Sequence, residues 1–372
     1  MRGAEYRFVC TTNRSVTVAV VLLGMLSGPV RAEQAGPIAA EASLIVPTAA
    51  LNDTQSEVAP PLTAQAVNEA QFAQVPADIV SATVLKTQIL LDRAHFSVGA
   101  IDGKSGDNFR KALAAFQSDK GLDASGTLDA PTWDKLVATS NDAVLTNYEI
   151  TAADLKGPFN SNIPKDWEEM AKLPRLDYSG LREALAERFH MQEELLTALN
   201  PGVSFDSART RVVVANVRSD NEEGGGNGGK RAGEPRVTRI EIDKPERSLR
   251  AFDRTGKLVA FYPASIGSAE KPTPRGTFKV QNVLINPTYQ YDPKFAFPEV
   301  KTQKKFSIQG GPNNPVGVAW IDLSVPSYGI HGTPEPENVG HTGSHGCVRL
   351  TNWDVLALAA LVDRGTVVQL KE

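Results

Sequence analysis

The stretch that decides the fold of the last third of the chain reads GIHGTPEPENVGHTGSHGCVRL, residues 329–350. It holds three of the five histidines, His331, His341 and His345, together with Cys347, one of the two cysteines. Glycines interrupt the stretch, and glycine permits the sharp backbone turns that would bring these side chains together. So many reactive side chains in one glycine-rich loop predict a catalytic site.

The composition is that of a globular protein with two or three domains. The 372 residues are 41% hydrophobic and 22% charged, with a formal net charge of −4. The total is not basic, which argues against a nucleic-acid partner.

Residues 1–32 are predicted to be a signal peptide. Three arginines flank the start of an apolar run, SVTVAVVLLGML, and small residues ending at Ala32 suit a cleavage site. The alternative is a membrane anchor, but a membrane span needs about 20 apolar residues. Cleavage would remove Cys10 and leave Cys347 without an internal disulfide partner in an exported chain. The next segment, residues 33–76, is rich in Ala, Pro, Gln and Thr and predicts a disordered tether.

Residues 77–140 are predicted to form a bundle of three short helices, separated by the turn sequences GAIDGKSG and GLDASGTLDAPT. The segments IDGKSG, ALAAFQ and GTLDAPTW resemble the peptidoglycan-binding domain of cell-wall enzymes. The resemblance implies wall binding. A spacer with the same fold and no ligand is the alternative.

A second module is predicted over residues 147–217. YSGLREALAERFHMQEELLTALNP has helical apolar spacing ended by Pro201, and RVVVANV reads as a strand. The module resembles LysM, another binder of wall glycan. His190 lies in this helix and is predicted to be an ordinary packed or exposed residue. Residues 218–235 predict a glycine-rich linker.

Residues 236–372 consist of short strand-like runs separated by turns, with one main helix in NWDVLALAALVDRG. Thr351 or Asn352 would cap this helix and Gly365 would stop it. These patterns predict a β-rich domain with a mixed sheet, and a multidomain α+β protein as a whole.

The reactive loop suits nucleophilic catalysis by Cys347. A thiol attacks carbonyl groups as the thiolate, and a neighbouring imidazole can take its proton and hold an ion pair. His345 lies two residues before Cys347 and His331 lies sixteen before it, and spacing alone does not choose between them. A zinc site and an inert buried cysteine are the alternatives. The first lacks a common zinc spacing, and Gly346, which can leave N–H groups free for an oxyanion, argues against the second.

IHGT followed by SHGCVRL is similar to the signature of the L,D-transpeptidases, cysteine enzymes that cross-link peptidoglycan. TPRGTFKV and GPNNPVGVAWIDL look like further family segments, so that the resemblance covers about the last 135 residues. It implies that Cys347 is the nucleophile and His331 the general base. It also implies that His345 lies beside the thiol and shapes an oxyanion site with the N–H groups of Gly346 and Cys347.

The resemblance also suggests a substrate-binding set, although a purely structural role is open for several members. Arg349 would pair with a carboxylate or serve in a structural ion pair. Tyr289 lies in NVLINPTYQYDPKFAFP, which would form a lid or pack in a core. Ser344 and Gly332 complete the predicted set. No acidic partner for His331 is evident, so a backbone carbonyl is expected to orient it.

The implied activity is a two-step acyl transfer between peptidoglycan stem peptides through a thioester at Cys347, in an exported, periplasmic or wall-associated carbapenem target. No cofactor and no metal are required. The implied partners are stem peptides, glycan strands and, as a further acceptor, a wall-anchored protein. Transfer to water, as in an L,D-carboxypeptidase, and a non-catalytic wall-binding scaffold are the alternatives.

Overall fold

A computed structural model describes residues 62–74, 76, 79–218, 235–267, 273–295, 300, 302–343 and 346–371. The predicted signal peptide, residues 219–234 of the predicted linker, and the site candidates Ser344 and His345 lie outside the described residues. Within these ranges no helix is long and apolar enough to cross a membrane.

The first module is helical, and its three predicted helices are confirmed. The helices are α1 Ala64–Asn68, α2 Ala82–Arg93, α3 Asp107–Asp119 and α4 Ala130–Val137. The start of α4 follows from local chemistry, because the Asp129 side chain accepts a hydrogen bond from the Thr132 N–H and a proline lies in the first turn.

Helix α1 shows that the predicted tether is wrong over its last part. The Thr63 hydroxyl caps the helix, and Val67 is completely buried in the helical core. Asn68 exchanges two hydrogen bonds with the backbone of Leu145, at 3.1 and 2.8 Å. Burial of Val67, the Asn68 amide and hydrogen bonds from Lys86 to the carbonyls of Asn68 and Ala70 order this helix, and such long-range contacts create no periodic pattern in the sequence.

The second module runs strand, helices, strand. It comprises β1 Leu145–Glu149, α5 Ala152–Lys156, α6 Trp167–Met170, α7 Leu181–Arg188, α8 Glu193–Leu199 and β2 Arg211–Ala215. The two strands pair antiparallel. This order is compatible with a LysM-like module, although α5 and α6 are additional, and the LysM assignment stays a prediction.

The helix predicted across residues 178–200 is two helices, α7 and α8. The break lies at His190, which has a φ of 57°. Its ring is buried, with Nδ1 3.0 Å from Asp92 Oδ2 of the first module. The break is therefore fixed by contacts to another module, which a periodicity within the segment does not reveal.

The third module is the predicted mixed-sheet domain. Its elements are β3 Val237–Asp243, β4 Ser248–Phe252, β5 Leu258–Pro263, β6 Ser265–Ile266, β7 Gly276–Ile285, β8 Tyr289–Tyr291, β9 Phe306–Ile308, β10 Ala319–Leu323, β11 Gly329–His331, β12 Val348–Arg349, α9 Asn352–Leu361 and β13 Val362–Lys371. Nine strands form one sheet in the order β5-β4-β3-β13-β7-β10-β11-β12-β6. The β13–β3 and β11–β12 pairs are parallel, and the other pairs are antiparallel.

The main helix α9 is capped by the first of the two predicted cap residues and ends before the predicted stop at Gly365. Thr351 is the cap, since its hydroxyl accepts a hydrogen bond from the Asp354 N–H. The helix ends at Leu361, and Gly365 lies inside β13. Arg236 donates to the carbonyls of Ala360 and Val362, which holds the chain at this early turn into the strand.

The helical modules cover an edge of the large sheet. The N–H of Ser97 donates to Phe261 O at 2.9 Å, and the Phe261 N–H donates to His95 O at 2.9 Å. Phe261 lies on the edge strand β5, yet its side chain belongs to the core of the helical modules. This pairing covers the exposed edge of the sheet, and it makes the described modules one packed unit.

Candidate active site

The sheet brings together side chains that are far apart in sequence. Trp320 of β10 is paired with His331 of β11, and His331 is paired with Arg349 of β12. Directly paired residues of neighbouring strands point to the same face. Cys347 directly precedes β12, and its thiol lies near Gly329 at the start of β11 and near Arg349. The parallel β11–β12 pair thus places His331 beside Arg349 and brings Cys347, two residues before Arg349, to the same end of the sheet.

The Cys347 thiol is half-buried beside the start of β11. Its Sγ lies 3.7 Å from Ser327 O, and the Gly329 N–H is close enough to hydrogen-bond the sulfur. Burial raises the pKa of Cys347, and this outweighs the opposing effects of the Gly329 N–H and the Arg349 charge. Near pH 7 Cys347 is therefore a neutral thiol, and the Gly329 N–H would stabilise the thiolate.

His331 is held as a neutral base. Its ring is buried, and Nδ1 lies 2.7 Å from Gly332 O, so Nδ1 carries the hydrogen and Nε2 keeps its lone pair. Burial, followed by the Arg349 charge, lowers the pKa of His331 to about 3, against the effect of the Gly332 carbonyl. The backbone carbonyl expected to orient this histidine is therefore that of Gly332. Near pH 7 both His331 and Cys347 are therefore uncharged.

Trp320 supports the His331 ring and was not identified from the sequence as a site residue. The two rings stack with their centroids 5.3 Å apart and 13° between their planes. Gly329 makes room for this stack, because a Cβ at that position would lie 2.5 Å from the indole ring. Trp320 lies in the family-like segment GPNNPVGVAWIDL, and this resemblance was the feature of the sequence that could have indicated a residue of the site.

The loop before Cys347 is only partly described. Gly346 is buried with a φ of 108°, a conformation that other residues rarely adopt, and its carbonyl accepts a hydrogen bond from Thr273 Oγ1 at 2.7 Å. This conformation suits the oxyanion role of the Gly346 and Cys347 N–H groups, which stays a prediction. His341 is exposed, and its backbone carbonyl accepts from Arg247 at 2.7 Å.

Two of the predicted substrate residues, Arg349 and Tyr289, lie near the thiol. Arg349 is half-buried and lies close enough to Cys347 and His331 for its charge to lower the pKa of both. Burial and the nearby Cys347 raise the pKa of Tyr289. Gly332 contributes the carbonyl that holds His331. Substrate binding by Arg349, Tyr289 and Gly332 stays a prediction.

The lid predicted around Tyr289 is a small antiparallel β8–β9 sheet. Tyr289 pairs with Ile308, and Tyr291 stacks on Phe306 with centroids 4.7 Å apart. Trp167 of the second module meets the Tyr289 ring edge-on at 5.3 Å. The segment therefore packs against α6, an element outside the sheet domain, with Tyr291 buried, and a lid role stays a prediction.

Two sequence-family profiles match the chain. Residues 237–370 match the YkuD family, described as the L,D-transpeptidase catalytic domain, and residues 81–136 match a peptidoglycan-binding domain. A Bacillus licheniformis protein named as the L,D-transpeptidase YkuD is 30% identical over 190 residues, which cover 50% of this chain and 92% of the relative.

Other relatives match over a smaller part of their length. YqjB of Bacillus subtilis, also named as an L,D-transpeptidase, is 33% identical over 122 residues, which are 31% of this chain and 61% of that protein. The crystal structure of L,D-transpeptidase 3 from Mycobacterium tuberculosis aligns with 19% identity and a TM-score of 0.31, covering 37% of this chain and 62% of that one.

Proposed function

This chain belongs to the L,D-transpeptidase family, and we propose that it cross-links peptidoglycan stem peptides through a thioester on Cys347. The site geometry supports this proposal, because a thiol, a neutral imidazole and a cationic side chain lie on one face of paired strands. The amino-terminal peptidoglycan-binding domain supports the same substrate class.

In the first step Cys347 Sγ attacks the carbonyl before a terminal D-alanine of a donor stem. The S–C bond forms while the thiol proton passes to Nε2 of His331, whose Nδ1–H stays on the Gly332 carbonyl. Backbone N–H groups at Gly346 and Cys347 would stabilise the oxyanion. The C–N bond then breaks, and the leaving D-alanine takes the proton from His331.

In the second step a side-chain amine of another stem attacks the thioester. The amine gives a proton to the neutral His331, the new amide bond forms, and the departing sulfur recovers the proton as the thiol. The low pKa of His331 keeps its imidazole neutral near pH 7, so Nε2 carries no proton when each step begins.

The single observation that carries the proposal is the state of His331. A buried imidazole with Nδ1 fixed on Gly332 O presents one available lone pair, and the strand pairing aims it at the face that holds the only cysteine among the described residues. A histidine with only a structural role would not require an unprotonated Nε2 in the same site as a thiol.

The decisive experiment incubates the protein with purified disaccharide tetrapeptides and identifies the products by mass spectrometry. We expect dimers that have lost one D-alanine, and no dimers with Cys347→Ala. Tripeptides without dimers would replace the proposal with an L,D-carboxypeptidase. Labelled lipoprotein peptides in the same assay test for a protein acceptor. Unchanged tetrapeptides would refute the proposed activity.

The proposal includes export to the periplasm or wall and binding of glycan strands by the amino-terminal modules. Wall binding can be separated from catalysis by sedimenting the Cys347→Ala protein with insoluble peptidoglycan. We expect it in the pellet, since two modules on one chain raise avidity. Protein that remains in the supernatant would favour the spacer interpretation of these modules.

A further inference from the structure

Asn352, the first residue of α9, connects the active-site backbone to the helical modules. Its Oδ1 accepts a hydrogen bond from the Val318 N–H at 3.2 Å, and its Nδ2 donates to Pro312 O at 3.1 Å. The side chain is 2% exposed, so it has no competing water on most of its surface. Asn352 thereby holds the segment between β9 and β10.

The same amide lies against the backbone that orients the catalytic base. A Cβ added at Gly332, or at Gly317, would clash with Asn352 Oδ1, so both glycine backbones approach the amide closely. The Gly332 N–H also donates to Ala319 O at 3.3 Å, next to Val318. The Gly332 carbonyl accepts the hydrogen bond from His331 Nδ1–H, and its direction therefore depends on the position of Asn352.

Asn352 is itself held by a carboxyl group from another module. Glu187 on α7 places both of its oxygens 3.1 Å from Asn352 Nδ2. Burial raises the pKa of Glu187 to about 8, so near pH 7 it is mostly the neutral acid and can remain buried without a cation. The Tyr178 hydroxyl lies 3.3 Å from Glu187 Oε2 and restrains the carboxyl from the other side.

We propose that Glu187 of the second module is a positioning residue for the catalytic base, acting through Asn352 and the Gly332 carbonyl on His331. This inference rests on the proposed function only for the role of His331 as the base. It makes the helical module a part of the catalytic apparatus in addition to any role in wall binding.

Glu183 provides a matched control, because it lies one turn earlier on the same helix. Its Oε1 accepts a hydrogen bond from Asn313 Nδ2 of the sheet domain at 2.7 Å, so it also joins the two modules. Among the described residues, the Glu183 side chain makes no hydrogen bond to His331, Gly332 or Asn352. Loss of Glu183 thus removes a hydrogen bond across the same interface and leaves the hydrogen bonds from Glu187 to Asn352 in place. The Glu183 charge helps to raise the pKa of Glu187, but burial is the larger cause, so Glu187 stays a buried acid in the control.

The test measures alkylation of Cys347 by iodoacetamide in the full chain, from pH 6 to pH 10, for wild type, Glu187→Met, Glu187→Gln and Glu183→Gln, with the Cys347 peptide distinguished from that of Cys10 by mass spectrometry after digestion. Near pH 7 the neutral thiol depends on His331 to take its proton, whereas at high pH hydroxide can remove the proton without His331. At pH 7 we expect Glu187→Met to react about tenfold to a hundredfold more slowly, the range expected from a small displacement of a catalytic group. All curves should converge near pH 10.

Glu187→Gln keeps one acceptor but points an NH₂ group towards Asn352, so we expect about a threefold slowing. Glu183→Gln should stay within twofold of wild type. Folded Glu187→Met with a wild-type rate at pH 7, or with equal slowing at pH 7 and pH 10, would overturn the inference. If Glu187→Met fails to fold, Glu187→Gln decides alone, and a wild-type rate then overturns it.

Iodoacetamide requires no peptide substrate, so the inference and the proposed function can fail separately. A protein that shows this alkylation pattern but leaves tetrapeptides unchanged keeps the inference about the base and loses the proposed activity.

Discussion

Two histidines in this protein have similar surroundings and opposite uses. His331 in the sheet domain and His190 in the second module are each 4% exposed. Each stacks on a tryptophan: His331 on Trp320 at 5.3 Å and 13°, and His190 on Trp353 at 5.2 Å and 9°. Burial and stacking therefore do not distinguish a catalytic imidazole from a structural one.

The difference lies in what faces Nδ1. For His331 it is the Gly332 carbonyl, and the ring stays neutral. For His190 it is the Asp92 carboxylate at 3.0 Å. Burial opposes ionisation of Asp92, but the charge of His190 prevails and the pKa of Asp92 is lowered. A carboxylate partner thus fixes His190 in a buried ion pair between modules, whereas a neutral carbonyl leaves His331 able to accept a proton.

The largest expected effect comes from removing the thiol that His331 serves. A carbapenem should acylate the protein once, because a thiol poised against a peptide carbonyl should also open a strained lactam. The adduct should be absent in Cys347→Ala and present in His190→Gln. Intact-protein mass spectrometry detects it, and an adduct that persists in Cys347→Ala would remove this cysteine from the mechanism.

The next effect separates the two histidines directly. His331→Gln should slow acylation by about a hundredfold to ten-thousandfold, the usual contribution of one general base. His190→Gln should change the rate of the folded protein by less than about threefold, since no reacting group touches it. Stopped-flow acylation rates at pH 7 check both variants. Equal slowing in the two would mean that the comparison drawn from Nδ1 is wrong.

The free energy of unfolding should depend more on His190 than on His331, the reverse of the order expected for the acylation rate. His190→Leu removes the hydrogen-bonded partner of the buried Asp92 carboxylate, and breaking a buried pair in this way costs up to about 3–5 kcal/mol of the free energy of unfolding. The double variant His190→Leu/Asp92→Leu should recover part of that loss, because the carboxylate that lost its partner is also removed, while Arg218 and Asp354 remain nearby. Urea unfolding measures all three proteins. A single variant as stable as wild type would show that this ion pair contributes little.

The smallest effect is a pH dependence at the interface between modules. Burial raises the pKa of Glu187 to about 8 and that of Asp354 to about 7, whereas unfolded carboxyls titrate near 4. Between these values the folded state binds more protons than the unfolded state, so its stability falls as the pH rises. From pH 5 to pH 8 we expect a loss on the order of a few kcal/mol.

Urea unfolding at pH 5, 6, 7 and 8 measures this loss. Glu187→Gln and Asp354→Asn replace the titrating groups with neutral amides, so each should flatten the dependence. A wild-type stability that is constant or rises over this range would contradict the prediction.

The sequence by itself determined the chemistry and the order of modules. Cys347 and His331 sit in a short signature, IHGT and SHGCVRL, whose spacing is visible without a structure. Three short helices and a strand-rich final third were predicted because apolar periodicity and turn residues are local properties. The neutral partner of His331 was expected as a backbone carbonyl, and it is the carbonyl of the very next residue.

Only the tertiary structure decided how those residues work. The pairing of β11 with β12 brings His331 and Cys347 together, and burial sets their pKa values, neither of which is written in local patterns. The helix break at His190 depends on its contact with Asp92, 98 residues away in the first module. The connection from Glu187 to Asn352 joins residues of two modules that are 165 positions apart. Hydrogen bonds across such separations leave no periodic trace in a single sequence, because their partners are selected by packing and not by spacing.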